Sequence, residues 1–168
     1  SKYLDNNSGT GKLDRRGSYS ATGSCDWEVV EVEYLPVPMN AAAGYATLYS
    51  PVQLSLTNRV EAYAVSEVAE TSVKLQSLEN IPANEGVILK IKNVGDIVRN
   101  CVFLQVTGSG ATVTSNKLEG TLASTMFSDE AYVLANVDSK VGLYKAAKNQ
   151  DSDTKWINNG FRAYLPVS

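Results

Sequence analysis

The stretch Gly44-Tyr45-Ala46-Thr47-Leu48-Tyr49-Ser50-Pro51-Val52-Gln53-Leu54-Ser55-Leu56 decides the fold. It is uncharged, mostly apolar, and interrupted only at Ser50-Pro51. Aromatic and β-branched side chains suit a pleated, half-buried surface. The proline kink divides the stretch into two strands, residues 44–49 and 52–56.

Downstream the same pattern repeats. Val60–Val65 puts Val60, Ala62 and Ala64 on one face, with Tyr63 and Val65 on the other. Thr71–Leu78 alternates Val73, Leu75 and Ser77 with Ser72, Lys74 and Gln76. Val87–Ile91 reads as a strand buried on both faces. Val98–Val106 continues the sheet, and Thr121–Ala123 follows a turn at Asn116–Gly120. Ala131–Leu134 and Val141–Lys145 flank Asn136–Lys140 and predict a hairpin. Gly160–Leu165 is a last strand, ended by Pro166. β-Branched residues across 60–78 argue against a helix there, although one helical turn near Ser66–Glu70 is compatible with the sequence. Strand signals recur about every 8–14 residues with turn signals between them, the pattern of a sandwich or barrel. The expected fold is all-β, an antiparallel β-sandwich with a barrel-like variant as the alternative.

Upstream, Asp26–Leu35 is close to period 2 and predicts a strand. Leu35-Pro36-Val37-Pro38 is expected to break it, because prolines are kept out of central strands. A module boundary or a sheet switch is expected there. Residues 1–24 are turn-rich and cannot form a core alone. Residues 1–35 therefore read as the tail of a preceding lectin-like or trefoil-like module, and 36–168 as the β-sandwich module. The start at Ser1-Lys2-Tyr3 reads as that of an excised or processed piece.

Composition excludes several functions. The 168 residues include no histidine, which removes His-dependent triads and His-based zinc sites. The net charge is −3 and the 15 basic residues are scattered, so no basic stripe for nucleic acid exists. No segment approaches the ~20 apolar residues of a membrane-spanning helix. Cys25 and Cys101 allow one disulfide or two free thiols, and the low cysteine count favours free thiols. Cys101 lies in the apolar run Cys101–Leu104 and is expected to behave as a small buried hydrophobe.

Several blocks occur together in a recognisable order. They are Leu35-Pro-Val37, Gly44–Val52, Val60-Glu-Ala-Tyr63, Ile81–Leu89, Asn116–Thr121, Ala131–Leu134, Val141–Tyr144 and Arg162–Val167. Over about residues 35–168 the chain resembles the C-terminal β-sandwich module of secreted or surface-attached proteins of Bacteroides-like bacteria. The resemblance implies a secreted or cell-surface setting, a larger parent chain with neighbouring domains, and an accessory role without catalytic residues. It implies no cofactor.

Candidate chemistry is sparse. A glycan site needs aromatic faces beside carboxylates or amides. Trp156, with Asn158 and Asn159, suits a stacking platform in a polar loop, and Trp27 lies between Asp26 and Glu28. The competing reading has both tryptophans plugging the ends of the sandwich. Glu31 and Glu33 could share a strand face at a spacing compatible with glycoside hydrolysis, although solvated carboxylates on a strand are commonplace. Asp151-Ser-Asp153 lacks the glycine and terminal glutamate of a calcium loop. The expected function is a non-enzymatic extracellular module for adhesion or domain spacing, with glycans or host surface proteins as partners. The alternative is a carbohydrate-binding module attached to a polysaccharide-degrading enzyme.

Overall fold

A computed structural model describes residues 3–7, 12–16, 32–93, 100–108, 110–146 and 156–167. The chain divides into two units, residues 1–31 and 32–168. The first unit contains an antiparallel hairpin of β1 (Tyr3–Asn7) and β2 (Lys12–Arg16), with Tyr3 opposite Arg16. Cys25, Trp27, Glu28 and Glu31 lie outside the described residues.

The second unit is built from strands alone among the described residues. These are β3 (Tyr34–Pro38), β4 (Tyr45–Tyr49), β5 (Leu54–Ser55), β6 (Val60–Val68), β7 (Val73–Leu78), β8 (Asn80–Ile81) and β9 (Gly86–Ile91). They continue as β10 (Cys101–Val106), β11 (Glu119–Thr121), β12 (Thr125–Phe127), β13 (Ala131–Val137), β14 (Lys140–Lys145), β15 (Trp156–Asn158) and β16 (Arg162–Pro166). The fold is an all-β antiparallel sandwich. A front sheet, ordered β3-β10-β5-β8, packs on a middle sheet, ordered β4-β9-β6-β7. A back sheet, ordered β11-β16-β13-β14, covers the other face of the middle sheet. The ribbon β12–β15 packs in turn on the back sheet.

Two cores result. In the front core Val37, Leu54, Ile81, Val102 and Leu104 meet Leu48, Val60, Ala62, Val87 and Leu89. In the back core Val65 and Ile88 meet Leu118, Ala163 and Leu165, with Tyr45, Tyr63, Leu134 and Leu143 around them. Strand β9 serves both, as its run of apolar residues predicts. Val87, Leu89 and Ile91 face forward and Ile88 faces back. Each fully buried aliphatic side chain contributes about 1.5–3 kcal/mol, so this strand anchors the unit. Lys90 is half-buried, with Nζ 3.6 Å from Glu61 Oε2.

Close approach of the back sheet requires glycine. A Cβ on Gly120 would lie 2.3–2.5 Å from the Tyr49 Cβ, Cγ and Cδ2 atoms. A Cβ on Gly86 would lie 2.9 Å from the Cβ atoms of Ala163 and Leu118. Asn116 ties the strap before β11 to the middle sheet. Its Oδ1 accepts the Val65 and Leu118 N–H groups at 3.2 Å, and its Nδ2 donates to Gly86 O and Glu85 Oε2 at 2.8 and 2.9 Å. Arg162 links all three sheets. It donates to Thr47 O at 2.8 Å and to Pro38 O at 3.3 Å, and burial pushes its pKa below the usual guanidinium value.

Three local expectations need correction. Leu35–Pro38 does not break a strand; it is most of β3 and lies inside the second unit. Strand β3 is an edge strand whose prolines, Pro36 and Pro38, both point outward, so their missing N–H groups cost no ladder bond. Ser66–Glu70 forms no helical turn. Strand β6 runs through Val68, with a register shift between Val65 and Glu67. The alternation in β7 does not produce one buried face, because an edge strand at this position has little packed against it, and Leu75 is exposed. The β13–β14 hairpin matches its prediction. Its turn residues Asp138 and Ser139 have φ of 49° and 65°, the positive values of a type I′ turn.

Candidate functional site

The predicted glycan platform at Trp156 is not a platform. Register pairing sets Phe127 opposite Trp156 across β12–β15. The indole stacks on Phe127, with centroids 4.8 Å apart and planes 21° from parallel, and meets Tyr164 edge-on at 5.3 Å. Its Nε1 donates to Asp129 O at 2.6 Å. The indole is 7% exposed, so it offers no face to a sugar. Asn158 is also buried, and its Nδ2 donates to Thr121 Oγ1 and Arg162 O at 2.8 and 2.9 Å. Asn159 is exposed, but the aromatic ring expected beside it faces inward. Trp27 lies outside the described residues.

Tyr164, beside this cluster, donates its hydroxyl to Glu119 Oε2 at 2.9 Å. Burial, helped by that carboxylate, pushes its pKa up to about 12. On the back of the middle sheet, the Tyr63 hydroxyl donates to Glu61 Oε2 at 2.7 Å. That bond, more than the nearby Lys90 and Lys92, holds the Glu61 carboxyl below its usual value. Glu61 is thus engaged by a phenol and an ammonium rather than paired with a second carboxylate.

The other predicted sites fall wholly or partly outside the described residues. Glu33 is exposed ahead of β3, while Glu31 and Asp151–Asp153 lie outside the described residues. Among the described residues no three His, Cys, Asp or Glu side chains converge as metal ligands. Cys101 is a free, half-buried thiol on the outer face of β10 rather than a core residue, because the register turns Val102 and Leu104 inward. A groove of about 610 Å³ opens between the β6–β7 turn, β13, β14 and the end of β16. Its charged lining residues are Glu70 and Lys117, and the rest is largely apolar.

The outer face of the front sheet carries two exposed aromatic rings on paired strands. There Tyr34 is 48% and Phe103 59% exposed. Phe103 is directly opposite Pro36, and Tyr34 is directly opposite Gln105. Sequence parity carried a signal for this face: in Tyr34-Leu-Pro-Val-Pro38 and Cys101-Val-Phe-Leu-Gln105, alternate residues are aliphatic and turn inward. Reading the two prolines as a break concealed it.

Among the described residues no helix is long and apolar enough to cross a membrane. Comparison of the chain with protein-family models, with curated protein sequences and with solved structures finds no match to any of the three.

Proposed function

We propose that residues 32–168 are a non-enzymatic extracellular module of a larger bacterial surface protein, which attaches that protein to its target and spaces the neighbouring domains. The observation that carries this reading is the exposed aromatic and proline face of β3–β10. Tyr34, Pro36 and Phe103 sit together on two paired strands and are left to solvent. Clustered exposed apolar side chains of this kind mark interaction sites. The sequence resemblance over residues 35–168 supports the extracellular setting, with glycans or host surface proteins as partners.

Adhesion of protein-coated beads under flow tests the proposal. Beads carrying the wild-type chain are expected to hold to surfaces coated with mucin or host cell-surface glycoprotein, and beads carrying the Tyr34→Ala/Phe103→Ala double variant to wash off. Equal retention of both, or no retention of either, would refute it.

A further inference from the structure

We infer that the outer face of the front sheet binds a neutral, hydroxyl-rich glycan laid across the strands. This rests on reading the module as a binding unit and adds the chemistry of its ligand.

The strand register carries the inference. Tyr34 is opposite Gln105, Gln105 is opposite Ser55, and Ser55 is opposite Asn80. The chain neighbours of these residues, Leu35, Leu104, Leu54 and Ile81, all belong to the front core. The four rung residues therefore share the outer face. Four strands at a spacing of about 4.8 Å make a row about 14 Å long. Phe103, on the adjacent rung, adds a second ring diagonal to Tyr34, at about 7–8 Å between backbones.

Each component matches one property of a sugar chain. Tyr34 and Phe103 offer exposed rings to the C–H faces of pyranoses. The Gln105 and Asn80 amides and the Ser55 hydroxyl both donate and accept, as sugar hydroxyls do. Among the described residues, no hydrogen bond to another protein group occupies these three side chains. The rung carries no charge, so an anionic ligand would find no cation on it and a cationic ligand no carboxylate.

The same residues disfavour other ligands. An extended peptide adding to the free edge of β3 would meet Pro36 and Pro38, which lack N–H donors. An apolar protein surface would bury Gln105, Ser55 and Asn80 without partners.

The test is affinity electrophoresis of the full chain through native gels containing galactomannan, xyloglucan, arabinoxylan or mixed-linkage β-glucan, with polygalacturonate as the anionic control. At least one neutral polysaccharide is expected to retard the protein. Tyr34→Ala, Phe103→Ala and Gln105→Ala are each expected to weaken that binding by about tenfold. Unchanged circular dichroism and melting temperature would show that these exposed substitutions leave the fold intact. Retardation by polygalacturonate alone, by no neutral polysaccharide, or equally for wild type and all three variants would overturn the inference. Bead adhesion separates its failure from that of the broader proposal: adhesion that depends on Tyr34 and Phe103 but survives enzymatic deglycosylation of the target would refute the glycan and leave the binding module standing.

Discussion

The Trp156 indole is stacked on Phe127, with ring centroids 4.8 Å apart, and this pair closes the outer side of the back sheet. The contact is structural. Trp156→Ala should destabilise the second unit by about 3–5 kcal/mol, the range for deleting a large buried aromatic. Urea denaturation followed by circular dichroism would measure it. A loss under about 1 kcal/mol would mean that the indole is not packed as described.

Gly120 admits the Tyr49 side chain at distances no Cβ tolerates. Gly120→Ala should cost about 1–3 kcal/mol by forcing the back sheet off the middle sheet. The conflict includes Tyr49 Cβ, so Tyr49→Ala should not rescue the variant, whereas Tyr49→Gly should relieve the clash. Melting temperatures of the single and double variants would decide it.

Tyr164 gives stability an alkaline limit. Its phenol, ordinarily near 10, is pushed up to about 12 by burial and by the Glu119 carboxylate. The folded chain thus holds this proton more tightly than the unfolded chain. The resulting stability is complete below pH 10 and is lost as pH rises through about 12. Tyr164→Phe should flatten that loss, as measured by denaturant unfolding across the alkaline range. Glu119→Gln should move the phenolate absorbance transition of Tyr164 to lower pH, with burial keeping it above the ordinary value.

Phe161 occupies a left-handed conformation, with φ of 60°, and its ring is 49% exposed. A bulky residue is strained there, whereas asparagine is not. Phe161→Asn should therefore raise stability by about 0.5–1 kcal/mol, seen as a higher midpoint in urea. A lower midpoint would show that the ring contributes more by packing than it costs in strain.

The longer strands were legible from their period. Val60–Val65 and Val87–Ile91 announced their two faces because both are buried, and side-chain parity there decides which core each residue enters. Residues 36–38 were misread because proline signals the end of a central strand but is tolerated on an edge, and edge status depends on distant β10. The sequence left Trp156 open between a stacking platform and a buried plug for a related reason. Strands β12 and β15 have three residues each, too few to show a period. The partner that buries the indole, Phe127, is 29 positions away in the chain. The rung Tyr34–Gln105–Ser55–Asn80 was invisible for the same reason, since its members come from four segments that only the register aligns.

The placement of β9 has a consequence for how the unit comes apart. Ile88 belongs to one hydrophobic cluster and its neighbours Val87 and Leu89 to the other, so neither cluster can melt without disturbing a strand on which the other depends. Unfolding of residues 32–168 should then occur as a single event, with amides from the front and back sheets losing their protection against hydrogen exchange together.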